Sequence, residues 1–218
     1  MTAVPIDPLA RLRETCVVAV IRAPDADGAV RAVDALVRGG VSGIEITYST
    51  PDVPRVLETV AERHGEAVLL GAGTLRTPAQ VSEAVAAGAQ FLVSPGLDDE
   101  LVGAMLASGA ITMAGALTPT EVMRAERLGV HVVKIFPASL GGPGYLRSLR
   151  GPFPDVPLMP TGGVSSDNLG EWLAAGAVAA GAGSELCSPA AMRDGDWAAI
   201  ERNARLFSSA LAATRAAA

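Results

Sequence analysis

The sequence predicts an α/β protein made of one (β/α)8 barrel, the TIM-barrel architecture, with an extra N-terminal helix. Short apolar segments alternate with longer amphipathic segments along the chain, as in repeated βα units that build a parallel sheet. Eight such apolar segments can be counted, which is the number that closes this barrel. The length of 218 residues and the apolar content of 50% suit one large core, because single cores grow to roughly 250 residues before chains divide.

The predicted strands recur at regular intervals. They occupy residues 17–21, 43–47, 67–70, 90–93, 111–114, 131–135, 157–159 and 178–180. Apolar residues at helical spacing predict helices at 26–38, 51–64, 78–87, 98–107 and 119–128. We also expect a leading helix within residues 1–15 that covers the bottom of the barrel. A final helix should fray over residues 208–218, and residues 1–218 should form a single domain.

Glycine and threonine mark the predicted helix ends. A threonine precedes a first-turn proline at 50–51, 77–78 and 118–119, which predicts three N-caps. Glycines that suit a left-handed C-cap stand between a helix and the next strand at Gly40, Gly88, Gly109, Gly129 and Gly176.

A doubly wound sheet with a dinucleotide site is the competing fold, because two segments carry the Gly-x-Gly pattern. The third glycine of that fingerprint is replaced by Arg76 in one segment and by Leu186 in the other. Both segments therefore favour the barrel.

Composition excludes several partners. The net charge of −6, the pI near 4.9 and the lack of a basic cluster argue against nucleic acid. No segment reaches the roughly 18 uninterrupted apolar residues of a membrane span.

Cys16 and Cys187 lack disulfide or metal spacing, and residues 1–13 lack the apolar core of a signal peptide, so we expect a cytoplasmic protein. His131 has no second histidine or carboxylate at ligand spacing, so we expect no metal.

Lys134 is the only lysine, among 17 basic residues. An amine can act as a nucleophile where a guanidinium cannot. Lys134 and Glu45 each lie between two apolar neighbours of a predicted strand, so strand alternation points both side chains into the barrel. A buried ion pair without a catalytic role is the alternative, but barrel active sites lie at these strand ends. Burial disfavours a charged amine and a carboxylate favours it, and the residue pattern leaves that balance open.

The loops after strands seven and eight predict a phosphate site. They contain Thr161-Gly162-Gly163 and Gly181-Ala182-Gly183-Ser184. Glycines let backbone amides approach an anion closely, and the hydroxyl groups can add hydrogen bonds. These two loops are the usual phosphate cradle of the barrel fold.

In these segments the chain resembles the family of 2-keto-3-deoxy-6-phosphogluconate (KDPG) and 4-hydroxy-2-oxoglutarate (KHG) aldolases. The matching segments are GIEIT (43–47), GAGT (71–74), SPG (94–96), TPTE (118–121), KIFPA (134–138), PTGGV (160–164) and GAGS (181–184). The resemblance implies a class I aldolase, usually a homotrimer, that needs no metal or other cofactor. It implies a small keto-acid sugar phosphate as substrate, namely KDPG, which is cleaved to pyruvate and glyceraldehyde 3-phosphate. The substrates 6-phospho-2-keto-3-deoxygalactonate and 4-hydroxy-2-oxoglutarate stay open as alternatives.

The resemblance also implies roles for single residues. Lys134 would form the Schiff base with the substrate ketone, and Glu45 would be the general acid and base. Thr74 would line the pyruvyl pocket, with Pro95 and Phe136 as its walls. The distal phosphate would be bound by Thr161, Gly162, Gly163, Gly183 and Ser184.

Tyr48 and Ser49 depart from the family pattern, because some members have leucine and arginine there. Arg22, at the end of strand one, resembles an arginine found in another branch of the same family. It could bind the substrate carboxylate in place of the arginine that is missing at Ser49.

Two other functions remain as hypotheses. One is a phosphate-binding isomerase or epimerase in which Lys134 and Glu45 act only as acid and base, without an imine. The other is a barrel that binds a sugar phosphate without catalysis. Neither accounts for the whole set of strand-end residues.

Overall fold

Eight parallel strands form a closed barrel in the computed structural model, which describes residues 8–217. The strands are β1 (Val17–Ile21), β2 (Gly43–Thr47), β3 (Leu69–Gly73), β4 (Phe91–Ser94), β5 (Ile111–Ala116), β6 (Val132–Ile135), β7 (Leu158–Pro160) and β8 (Ala180–Ala182). Their hydrogen-bonded order is β7-β6-β5-β4-β3-β2-β1-β8. A parallel bridge between Thr161 and Gly181 and a bond from the Val178 amide to the Leu158 carbonyl join β7 to β8. The predicted (β/α)8 barrel is confirmed.

The helices alternate with the strands. They are α1 (Pro8–Thr15), α2 (Ala26–Arg38), α3 (Val53–His64), α4 (Pro78–Ala86), α5 (Asp99–Ala107), α6 (Pro119–Leu128), α7 (Gly142–Arg150), α8 (Leu169–Ala174), α9 (Pro189–Asp194) and α10 (Trp197–Ala216). No helix within residues 8–217 is long and apolar enough to span a membrane.

The predicted terminal helices are present where the structure describes them. Leu12 of α1 is fully buried against the residues that fill the barrel interior, so α1 closes the N-terminal end as expected. Positions 1–7 of the predicted leading segment lie outside the described residues. Leu211 of α10 packs against the core, and the fraying of this helix stays a prediction.

Two strands begin two residues later than predicted. Residues 65–67 form a 3-10 turn, so β3 starts at Leu69 and continues to Gly73, which pairs with Thr47. The ladder between β8 and β1 starts at Ala180 opposite Val17. In both cases the strand starts later and extends into a glycine-containing segment. The hydrophobic pattern of the sequence does not reveal these bounds of the ladder.

The predicted caps are mostly confirmed. All five inter-element glycines have positive φ, and Thr77 and Thr118 cap α4 and α6 with their side chains. The N-cap predicted at Thr50 is wrong, because Asp52 holds that position before α3. The Thr50 hydroxyl instead accepts a hydrogen bond from the Ala23 amide at 3.1 Å, and so connects the end of β2 to the end of β1.

Glu121 completes a capping box at the start of α6. Its carboxylate accepts hydrogen bonds from the Leu117 amide, the Thr118 hydroxyl and the Thr118 amide. These bonds, with that of Leu117 first, lower the pKa of Glu121. Because the pKa is lowered, the ionised carboxylate stabilises the fold at pH values above the ordinary pKa of a glutamate side chain. This contribution is lost as the pH falls through the lowered pKa.

We therefore expect Glu121→Ala to lower the free energy of unfolding by about 0.5 kcal/mol at pH 7, a small value because the side chain is exposed to solvent. At about pH 3 the penalty should be smaller. Urea unfolding at both pH values measures this stability penalty. The control is Glu126→Ala, a substitution at an exposed position of the same helix. An equal penalty at both pH values would contradict the capping role.

Candidate active site

Polar side chains occupy the upper layer inside the barrel. Val132 and Met159 belong to the apolar cluster that fills the barrel interior. Lys134 and Thr161 each follow one of these residues by two positions along the strand direction, so they face the interior one layer higher. This layer lies at the carboxyl ends of the strands, where barrel active sites are built.

Lys134 and Glu45 meet in this layer. The Lys134 Nζ lies 3.8 Å from the Glu45 Oε1, and the two side chains are 5% and 0% exposed. Within the described part of the chain neither Glu45 carboxylate oxygen has a hydrogen-bond partner. A buried carboxylate without hydrogen bonds is costly and calls for an explanation. A role of Glu45 as general acid and base beside a nucleophilic amine explains this carboxylate, because such a group must stay free to exchange protons with a substrate.

Glycines make room for the groups around the pair. A Cβ atom on Gly73 would lie 1.8 Å from the Glu45 Oε1, and one on Gly115 would lie 2.1 Å from the Pro95 carbonyl oxygen. Thr74 follows Gly73 directly and has a left-handed φ of 57°, a strained conformation that is typical of functional sites. Gly115 pairs with Lys134 in the sheet. Gly73 thus lies against Glu45, and Gly115, the strand neighbour of Lys134, lies against the Pro95 carbonyl.

An adjoining cavity of about 100 Å³ contains the other predicted residues. It is lined by Arg22, Phe136, Thr161, Gly162, Gly163, Gly183 and Ser184, together with Val20, Val164 and Glu185. The Phe136 ring centroid lies 5.2 Å from the Lys134 Nζ, so this ring joins the cavity to the amine.

The cavity has features of an anion site. Gly162 and Gly163 have φ values of 93° and 78°, and their amides donate no backbone hydrogen bond within residues 8–217. The Thr161 hydroxyl is buried and likewise has no partner in the described chain. Arg22 is exposed and forms no ion pair with a described residue. Together these donors can bind a phosphate or carboxylate group.

Glu185 and Gly73 were missed by the sequence analysis. The position of Glu185 directly after Ser184 could have indicated that it reaches the cavity. Gly73 belongs to the GAGT segment, but the sequence does not reveal that it makes room for Glu45. Its position depends on the extension of β3 to Gly73, which the hydrophobic pattern does not show.

Tyr48 and Ser49, which depart from the family pattern, directly follow the end of β2. The Tyr48 hydroxyl donates to the Gln80 carbonyl at 2.9 Å, and burial, followed by the nearby Glu83 charge, raises the pKa of Tyr48. Tyr48 therefore faces α4. The Ser49 hydroxyl lies 2.7 Å from the Thr47 hydroxyl, which donates to the Ile21 carbonyl.

The Cys187 thiol is buried, which makes it a poor nucleophile. Burial raises the pKa of Cys187 to about 12, so the thiol stays protonated. Within residues 8–217, no three or more His, Cys, Asp or Glu side chains are grouped as a metal ion requires.

Comparison with known proteins gives a consistent result. Residues 9–203 match the family model of KDPG and KHG aldolase. The chain is 39% identical to 2-dehydro-3-deoxy-phosphogluconate aldolase of Pseudomonas aeruginosa, over 79% of this chain and 78% of that protein. It is 32% identical to 2-dehydro-3-deoxy-6-phosphogalactonate aldolase of Escherichia coli, over 78% and 83% of the two chains.

A solved structure agrees with these relatives. The crystal structure of KDPG aldolase from Legionella pneumophila, with pyruvate captured at low pH as a covalent carbinolamine intermediate, superposes with a TM-score of 0.84. That chain is 32% identical, and the match covers 93% of this chain and 98% of that one. This chain belongs to the KDPG and KHG aldolase family.

Proposed function

We propose that this protein is a class I aldolase, an aldehyde-lyase that cleaves KDPG to pyruvate and glyceraldehyde 3-phosphate through an imine on Lys134. The observation that carries the proposal is the buried Lys134 amine, 3.8 Å from a Glu45 carboxylate that has no hydrogen-bond partner in the described chain. An amine and a free proton acceptor at this distance are what imine chemistry requires.

The reaction begins at Lys134. The Lys134 ammonium passes a proton to Glu45, and the free amine attacks the C2 ketone of the substrate to give a carbinolamine. Glu45 returns the proton to the carbinolamine hydroxyl group, which leaves as water to give a protonated imine. Glu45 takes the proton of the C4 hydroxyl as the C3–C4 bond breaks, and the bonding electrons move into the imine to give an enamine. The aldehyde product leaves. Glu45 then returns a proton to C3, which restores the protonated imine, and water hydrolyses it to release pyruvate and the Lys134 ammonium.

The cavity binds the distal end of the substrate in this proposal. The amides of Gly162, Gly163 and Ser184 would hold the phosphate, with the Thr161 hydroxyl and Gly183 beside it. Arg22 lines the same cavity, so its placement favours the phosphate over the carboxylate as its partner. Thr74, Pro95 and Phe136 would enclose the pyruvyl end.

The proposal is tested by intact-protein mass spectrometry after incubation with pyruvate and borohydride. An increase in mass that matches reduced pyruvate, together with pyruvate release from KDPG, is the expected result. Pyruvate that binds without forming an adduct would refute the imine and favour an acid/base isomerase. A site that binds the sugar phosphate but releases no pyruvate would favour a binding protein.

The choice of substrate is a separate question. The relatives include aldolases named for the phosphogluconate and for the phosphogalactonate substrate, so 6-phospho-2-keto-3-deoxygalactonate and 4-hydroxy-2-oxoglutarate are the alternatives. A panel of the three compounds, compared by kcat/KM, distinguishes them. We also propose a homotrimer in the cytoplasm; Leu140, an apolar side chain that is 72% exposed, is a candidate contact between subunits.

Gly73 offers a test of how Glu45 is positioned. In Gly73→Ala the added methyl group would occupy the space of the carboxylate, so Glu45 must shift, and we expect kcat to fall by about 10- to 100-fold. Overpacking should also lower the free energy of unfolding by roughly 1–3 kcal/mol.

The matched control is Gly103→Ala in α5, where a Cβ atom meets nothing within 4 Å. Steady-state assays and thermal melts of both variants measure the effects. Full activity in folded Gly73→Ala would show that the position of Glu45 is not critical.

A further inference from the structure

Glu185 introduces a negative charge into a cavity whose other features suit an anion. The charged side chains among the cavity-lining residues are Arg22 and Glu185. Both are exposed, and within the described residues neither takes part in an ion pair. The two charges are therefore both available to a bound molecule, and the net charge of these side chains is zero.

The backbone keeps Glu185 at the cavity. The amides of Leu186 and Cys187 donate to the Gly183 carbonyl at 3.0 and 2.8 Å, which closes a tight turn around Glu185. The Leu186 side chain is fully buried, and its carbonyl accepts a hydrogen bond from the Asn203 amide group at 3.2 Å. The side chain of Glu185 can rotate, but the turn that carries it is anchored to β8 and α10.

This arrangement treats phosphate and hydroxyl groups differently. A phosphate dianion gains from the free amides and from Arg22, but the Glu185 carboxylate repels it. Charges at solvent-exposed positions interact weakly, and for a dianion at low salt the repulsion corresponds to roughly a 3- to 10-fold loss of affinity. A neutral hydroxyl group suffers no repulsion and can donate a hydrogen bond to the carboxylate.

We infer that Glu185 is a specificity-determining residue that reduces the advantage of a phosphorylated substrate and allows the unphosphorylated 2-keto-3-deoxy sugar acid to compete. The inference rests on the proposed function, because it concerns the distal end of the same substrate. It assigns to this chain a wider substrate class than the phosphate loops alone would give.

The test compares kcat/KM for KDPG with kcat/KM for its unphosphorylated counterpart. In Glu185→Gln the ratio of the two values should rise by about 3- to 10-fold, mainly through a lower KM for KDPG. Inorganic phosphate should inhibit this variant more strongly by a similar factor. Both effects should shrink at about 0.5 M salt, because salt screens charges at exposed positions.

The control is Glu126→Gln, which makes the same change of net charge on the exposed surface of α6 and should leave the ratio unchanged. An unchanged ratio and unchanged phosphate inhibition in Glu185→Gln, or an equal rise in Glu126→Gln, would overturn the inference. Borohydride trapping of the wild-type protein separates the two proposals. If the adduct forms while the ratio stays constant, only the role of Glu185 fails; if no adduct forms, the proposed function fails as well.

Discussion

Replacement of Lys134 by methionine is expected to abolish the borohydride-trapped pyruvate adduct and to lower kcat/KM for KDPG by about 10⁴-fold or more. The reason is chemical, because no other lysine exists in the chain and the buried Cys187 thiol stays protonated. An arginine variant adds a second comparison, since Lys134→Arg keeps a positive charge near Glu45 but cannot form the imine. Both variants should lack the adduct if the amine is the nucleophile.

Stability must be controlled in this experiment. Loss of the amine leaves the fully buried Glu45 carboxylate without its ion-pair partner, which destabilises a fold by roughly 3–5 kcal/mol. The double variant Lys134→Met with Glu45→Gln removes both charges and should recover much of that loss. A folded double variant without adduct confirms the assignment, whereas an adduct in either folded variant would place the imine elsewhere.

The position of the Lys134–Glu45 pair could be predicted from sequence because two simple rules act together. Strand alternation fixes which side of the barrel a residue faces, and parallel strands bring their carboxyl ends to one edge. Both residues lie between apolar neighbours in strands whose bounds were predicted within one residue at each end. Their proximity follows from the closure of the barrel.

Other features could not be predicted, and each depends on local packing. The cap of α3 moved from Thr50 to Asp52 because the Thr50 hydroxyl bonds to the Ala23 amide, a contact between segments far apart in sequence. The extension of β3 to Gly73 depends on pairing with β2. The placement of Arg22 beside Ser184 depends on the pairing of β1 with β8, and a search for motifs along the chain does not reveal it.

Glu45→Gln should separate imine formation from proton transfer. The amide preserves shape but cannot accept the C4 hydroxyl proton, so we expect kcat for KDPG to fall by about 10²- to 10⁴-fold. Pyruvate should still be trapped on Lys134, since the amine is retained. In heavy water the wild-type protein should exchange the methyl protons of pyruvate through the enamine, and the variant should lose this exchange. Proton NMR of the pyruvate methyl signal measures it.

The same variant also tests why the buried carboxylate is retained. Glu45 is fully buried and its oxygens have no hydrogen-bond partner within the described chain, so the side chain contributes more to catalysis than to folding. Glu45→Gln removes this carboxylate but also leaves the buried Lys134 amine without its ion-pair partner, so we expect the melting temperature to fall no more than in Lys134→Met while activity is lost. A larger fall than in Lys134→Met would instead assign Glu45 a mainly structural role. Persistent methyl exchange in the folded variant would show that another group transfers the proton.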